Sequence, residues 1–578
     1  MKLKYQKYRI ICFLLSVNIL LSSTFIIYEN NWYAFLFILA LASCLNSFSC
    51  LFNIGHKMIE GEIKHNNRIT AKNYIYIVPC YNETKEELVK TLNSLVLQRE
   101  VKRDVRSIMI ICDGTSSNKN NICDKILKEL IMLDNPKGDY FNYPTWDEKE
   151  NIVQVYHGYY CHYQEQLPVI LLVKMENYGK RDSLVLARQF CYKYNQSLLD
   201  TLTLEDPLTL ENPLTLANAD TLTLEDPLTL AMIRDLTAIY AGETIHYIIG
   251  IDADTVFDYN CSYELIQGIQ ASDNIHGCVG YVDISPELNF YSPFVLYQYA
   301  EYMFAQCLRR HAQSRITKKV NCLSGCVQIL RVSKETCGEE ILARFNYLPA
   351  AEESIFNHIR SYASEDRNHV CHLLSKYPYV KTTQNLNAIA YTTVPTNWTV
   401  FLSQRRRWSL GSNANDMLLI TLPGIVFVER ISAFINVCTY SVSPFIFIAT
   451  ILFLKTIITE PSLLMLYLSC VILLPLFYAL VMVPVFIKQI SFRQTLYYYL
   501  SYSFFYLLGS LVNLIIYFYS IFCMDVIKWG KTRQIKATVD GVTECETNTD
   551  ENYDYDDYIY DDAIHAPMPI QDINNYVV

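Results

Sequence analysis

The chain is short of charge and lacks any ordered cysteine pattern, and each shortage excludes something. Only 18% of its 578 residues are charged and 51% are hydrophobic, too apolar for an ordinary soluble enzyme and too polar for an all-membrane chain. A soluble domain framed by membrane spans fits this balance. There is no basic surplus either: the net charge is −10, and much of the acid lies in residues 539–578, where Asp550-Glu551-Asn552-Tyr553-Asp554-Tyr555-Asp556-Asp557 begins a Tyr/Asp run. A disordered acidic tail is predicted there, and the pattern argues against nucleic acid as a partner. The 19 cysteines form no CxxC pair. Several, such as Cys44 and Cys470, sit in apolar runs, so they read as reduced, buried small hydrophobes rather than disulfides or zinc ligands.

A small-residue cleavage site is missing near the N terminus, which disfavours a cleaved signal peptide. Residues 10–28 and 33–54 each approach the roughly 20 apolar residues that cross a bilayer, so 1–56 is expected to form a transmembrane hairpin. Lys2, Lys4, Lys7 and Arg9 precede it, which places the N terminus and the following domain, 57–416, in the cytoplasm. The sequons at Asn82, Asn195, Asn260 and Asn397 are then out of reach of glycosylation. Apolar runs at 431–454, 462–486 and 496–523 make 417–524 a C-terminal membrane region. Three passes there would leave Lys528, Lys531 and Arg533 outside the cell, so either residues 417–454 hold an interfacial or re-entrant helix or one run is two passes. The segment 525–538 is then cytoplasmic.

Within 57–416, short β-branched runs end in polar turns at 74–79, 107–112 and 247–251, with helical patterns such as 85–97 between them. This alternation predicts an α/β domain with a mixed, mostly parallel sheet. Ligands of such sheets gather at the carboxyl ends of strands, where this chain places Tyr81, Glu83, Asp113, Asp252 and Asp254. The decapeptide Thr-Leu-Thr-Leu-Glu-Asp-Pro-Leu-Thr-Leu occurs at 201–210 and again at 221–230. So exact a repeat reads as a low-complexity surface insertion spanning 200–230, without catalytic duty.

Asp252-Ala253-Asp254 closes an apolar strand. Two carboxylates one residue apart can hold a hard cation, Mg²⁺ or Mn²⁺, that also grips diphosphate oxygens, although isolated DxD triplets are often solvated turns. Asp113 can accept hydrogen bonds from a base or ribose, or act as a turn residue. Lys180 and Arg181, in Asn177-Tyr178-Gly179-Lys180-Arg181-Asp182-Ser183, open a helical segment and can meet phosphates. Glu365-Asp366-Arg367 sets a carboxylate beside a cation, as a general base needs and as many surface triplets also do. Gln404-Arg405-Arg406-Arg407-Trp408 offers guanidiniums for anionic oxygens and an indole face for a sugar ring. Its plainer reading is a basic anchor flanking a membrane helix.

In this order the motifs resemble the processive inverting glycosyltransferases, and chitin synthases in particular. The ordered set is Pro79 to Glu83, Asp113-Gly114, Gly179 to Ser183, Asp252 to Asp254, Gln298 to Tyr302, Cys322 to Cys326, Glu365 to Arg367, Gln404 to Trp408 and Trp529-Gly530-Lys531-Thr532-Arg533. It spans residues 74–533 and is most similar to the fungal division called class IV. The resemblance implies a GT-A-like cytoplasmic domain joined to a multi-pass helical region in the plasma membrane, building cell-wall chitin. It implies UDP-N-acetylglucosamine as donor, a growing chitin chain as acceptor, the lipid bilayer as surroundings, and leaves a homo-oligomer open. Tyr81, Glu83, Asp113, Lys180 and Arg181 would hold the uridine and ribose side, and Asp254 with Asp252 the Mg²⁺ or Mn²⁺. Asp366 would be the general base and Arg407 would stabilise the leaving diphosphate. Gln404 would bind substrate and Trp408 would stack on the acceptor sugar, while Trp529, Thr532 and Arg533 would close over the donor. Ser324 and Ser364 stand where the family usually has proline and glycine. With no additional N-terminal domain, a compact version of the enzyme is expected. Hyaluronan- or cellulose-type synthases and a non-catalytic membrane scaffold or transporter are the alternatives.

Overall fold

The computed structural model describes residues 3–27, 33–60, 72–99, 101, 104–114, 123–146, 148–204, 226–459, 469, 471 and 473–526, with side chains except at 33–42, 59–60 and 201–204. Trp529, Thr532, Arg533 and the acidic tail lie outside these residues.

The domain is built on one mixed sheet. The run Tyr74–Cys80 (β1) is buried on both faces, as is Arg106–Asp113 (β2), the pattern of central strands covered by helices on both sides. They pair in parallel with each other, β1 with Tyr247–Gly250 (β7), and β2 with Glu165–Lys174 (β6). Strands in mixed pairing, mostly antiparallel, extend this parallel centre. Met132–Leu133 (β3), Asp139–Pro144 (β4) and Glu150–His162 (β5) lie beyond β6; Val256–Phe257 (β8), Ile275–Ile284 (β9), Gln328–Arg331 (β10) and Lys381–Thr392 (β11) lie beyond β7. The order is β3-β5-β6-β2-β1-β7-β10-β9-β11-β8, with β4 beside β5.

Alternation along β1 and β2 sends Tyr74, Tyr76, Ile108 and Ile110 to one face and Ile75, Ile77, Met109 and Ile111 to the other. The first face packs against Lys85–Val96 (α3), Cys123–Leu130 (α4) and Cys261–Gln270 (α7). The second packs against Gly179–Leu204 (α5) and Pro227–Tyr240 (α6). Asp226 caps α6 and Leu228 is in its core, so the last residues of the repeat belong to the fold, and the insertion is narrower than 200–230. Residues 205–225 lie outside the described set.

Pro293–Ala305 (α8), Ile355–Ala363 (α9), Glu365–Lys376 (α10) and Trp398–Thr421 (α11) roof the strand ends and meet the apolar helices. Leu3–Ile27 (α1) and Phe492–Phe522 (α14) are each long and apolar enough to cross a bilayer. Tyr33–Glu60 (α2) follows α1. Phe427–Ser441 (α12) and Ser443–Thr459 (α13) are bent by 78° against one another, within the region where an irregular helix was expected. Lys7 Nζ lies 2.7 Å from Asp525 Oδ1, and Gln6 exchanges hydrogen bonds with Glu353 and Ile355 at 2.8 Å each. The start of α1, the end of α14 and the edge of the domain therefore meet.

Candidate active site

The strand ends and the helical roof enclose a cavity of about 1230 Å³. Tyr81 and Glu83 reach it from the end of β1, Asp113 from β2, Asp252 and Asp254 from the turn after β7, and Lys180 from the first turn of α5. Glu365 and Asp366 reach it from α10, and Gln404, Arg407 and Trp408 from α11. Eleven candidate positions from separate parts of the sequence thus share one space.

Arg181 does not join them. Its guanidinium donates to the Ser361 and Tyr347 carbonyls at 2.7 Å each and lies over the Trp146 ring. Burial brings it down to about 10. Successive helical residues point about 100° apart, so with Lys180 aimed at the cavity, Arg181 turns into the packing behind it. It ties α5 to α9 rather than holding a ligand.

Charge is arranged tightly around Asp366. Its Oδ2 accepts the Gly325 N–H at 2.8 Å, while Oδ1 is buried and accepts no hydrogen bond among the described residues. Burial raises the carboxyl to about 6, with Lys180 opposing the shift and Glu365 and Asp252 adding to it. Lys180 Nζ donates to Asp252 Oδ1 at 2.5 Å. Burial alone would lower its pKa, but Asp252 and Asp366 hold it above the usual lysine range. A Cβ at Gly325 would come within 2.9 Å of both Asp366 Oδ2 and Lys180 Nζ. The glycine of the Cys322 to Cys326 segment thus leaves room for an ionic contact.

Asp254 is pushed up to about 7 by burial and by the charges of Asp252 and Glu83. Three clustered carboxylates answered by Lys180 leave an excess of negative charge, which suits a hard divalent cation with oxygen ligands. Cys80, Cys112 and Cys123 also lie close enough to share an ion, but they sit in the core beneath α3 and α4 and thiolates do not suit Mg²⁺ or Mn²⁺. Asp113 is held by the fully buried Lys174 at 2.5 Å, which also binds Asp182 at 2.9 Å.

The three arginines of α11 take three directions, as helical phase requires. Arg405, 3% exposed, pairs with Glu301 of α8 at 2.5 Å and lies 4.3 Å from the Trp408 ring. Arg406, 6% exposed, bonds Cys523 at the end of α14. Burial lowers the pKa of Arg407, and Glu365, Asp252 and Asp366 oppose that shift. Arg405 and Arg406 are therefore internal struts rather than lipid anchors. Trp408 keeps 41% exposure and lies 5.9 Å from the Tyr302 ring. Glu301 and Lys174 carry no signal of their roles in the sequence, because neither stands next to a recognisable partner in the chain.

A family model described as chitin synthase matches residues 52–560. Chitin synthase 8 of Gibberella zeae is 33% identical over 552 residues, covering 92% of this chain and 78% of the relative. Chitin synthase 8 of Verticillium dahliae is 31% identical, covering 77% of this chain and 74% of the relative. Among solved structures, the mannosyltransferase PcManGT from Pyrobaculum calidifontis, in complex with GDP-Man and Mn²⁺, aligns over 81% of this chain and 98% of its own, at 11% identity and a TM-score of 0.35.

Proposed function

The chain belongs to the chitin synthase family, and on that premise we propose that it transfers N-acetylglucosamine from UDP-N-acetylglucosamine to the 4-hydroxyl of a growing β-1,4 chain. The observation that carries the mechanism is the Asp366 carboxylate, raised to about 6 and buried, with Oδ1 accepting no hydrogen bond among the described residues. Such an oxygen is placed to take a proton. The acceptor oxygen attacks the anomeric carbon from the face opposite UDP. As its bond to that carbon forms, its proton passes to Asp366 and the bond to UDP breaks, the electron pair leaving with the diphosphate.

Arg407 faces the same carboxylates and stabilises the charge developing on the leaving group. Asp254 and Asp252 would hold Mg²⁺ or Mn²⁺, which supplies charge neutralisation at the diphosphate. Tyr81, Glu83 and Asp113 form the nucleoside end of the cavity, Lys180 balances the carboxylates between the two ends, and Trp408 offers its ring to the acceptor sugar. Arg181 has no place in this set.

The enzyme is membrane-associated, with two helices fit to span among the described residues. We place it as a multi-pass protein, with 57–416 on the cytoplasmic side and 417–524 forming the path for the polymer. The Lys7–Asp525 pair supports a shared side for the N terminus and the segment leading to Trp529, Thr532 and Arg533. Isolated membranes given labelled UDP-N-acetylglucosamine with Mg²⁺ should yield insoluble, chitinase-sensitive product. Failure with this donor and polymer from UDP-glucose or UDP-glucuronate would overturn the substrate assignment.

A further inference from the structure

The base and the leaving-group arginine stand on different helices, α10 and α11, so their spacing depends on how those helices meet. The start of α10 comes close to α11 at Gly411, one helical turn beyond Arg407 on the same side of α11. A Cβ there would lie 2.5 Å from Ser364 Cβ and 3.2 Å from Ser364 Oγ, far inside van der Waals contact. Ser364 caps α10 directly before Glu365 and Asp366. One turn further along, the contact is polar. Arg367 donates to Ser412 Oγ and to Asp416 Oδ1 at 2.6 Å, and Asp416 is 2% exposed. Asn368 donates to Asn415 Oδ1 at 3.2 Å. Asn436 of α12 donates to the second oxygen of Asp416 at 3.1 Å, extending the contact to the bent α12–α13 pair.

We propose that Gly411 against Ser364, locked by Asp416 on Arg367, is a positioning clamp that sets the distance from Asp366 to Arg407 and ties it to α12. The inference rests on the reading of Asp366 and Arg407 given above. Gly411 permits an approach that any side chain would prise open. Asp416 neutralises a guanidinium that would otherwise be buried unpaired beside the base. Ser364, Arg367 and Ser412 line the cavity beside Asp366, away from the nucleoside end formed by Tyr81, Glu83 and Asp113, so the clamp acts on the turnover step more than on donor binding.

The test uses the full-length enzyme in membranes, with rates expressed per UDP-binding site so that unfolded protein does not count. Gly411→Ala should lower kcat on the order of 100-fold, the cost of displacing reacting groups by about 1 Å, while the Kd for UDP stays within about twofold of wild type. Ser364→Gly in the same chain removes the atom that the new methyl meets, and should recover at least about tenfold of that loss. Asp416→Asn should lower kcat about tenfold, with Asp416→Glu restoring most of it. Equal kcat for Gly411→Ala and wild type, or a double variant no better than Gly411→Ala, would overturn the proposal. An active Asp366→Asn enzyme would instead overturn the base assignment, and the Ser364/Gly411 rescue would remain readable.

Discussion

On one side of the cavity Asp113, Asp252 and Asp254 stand at the ends of the two strands that flank β1, whereas on the other Asp366, Arg407 and Trp408 stand on two separate helices. The strand-end wall is fixed by the sheet ladder: β1, β2 and β7 are paired in register, so their terminal residues arrive together once the backbone folds. The helical wall has no such ladder. Its geometry depends on Glu301 with Arg405, Arg367 with Asp416, and the bare backbone at Gly411. Substitutions on the first wall should therefore change binding, and those on the second turnover.

The sharpest break in this division is expected at Gly325, where the two walls touch. Gly325→Ala puts a methyl within 2.9 Å of Asp366 Oδ2 and Lys180 Nζ, separating the ion pair from the base. Turnover should fall on the order of 100-fold without loss of folded protein, measured as polymer formed per UDP-binding site. A smaller effect separates adjacent residues. Lys180→Met should raise the donor KM about tenfold, whereas Arg181→Ala should leave it unchanged and cost about 2 kcal/mol of stability, read by denaturation of the solubilised enzyme.

The gentlest probe is pH. Asp366 must be ionised to accept a proton, and its pKa stands at about 6. Donor kcat/KM should therefore fall about tenfold per unit as pH drops below 6 and level off above it. Lys180 holds that pKa down, so Lys180→Met should move the acid limb to higher pH. Asp254, at about 7, lets protons compete with the cation, so the Mg²⁺ concentration needed for half-maximal rate should increase as pH falls below 7.

The strand-end wall was legible in the sequence because Asp113 ends one apolar run and Asp252 and Asp254 follow another, and the order of motifs pointed to Asp366, Arg407 and Trp408 for the same site. Helical phase was not legible: nothing in Lys180-Arg181 says which cation faces the cavity, and Arg405, Arg406 and Arg407 look alike until α11 is packed. Pairings across long separations were equally hidden. Glu301 and Arg405 are 104 residues apart, and Lys174 reads as the polar end of a strand although it is fully buried between two aspartates. Ser364 is one of two departures from the family pattern, with Ser324, and only the contact with Gly411 shows how the space is shared.

The most direct measurement compares Asp366→Asn with wild type in the same membranes, following labelled N-acetylglucosamine into chitinase-sensitive material alongside UDP binding. An amide in place of the carboxylate should cut synthesis by at least about 100-fold while the Kd for UDP stays within about threefold. Polymer formation within a few-fold of wild type would contradict the assignment of Asp366 as the base.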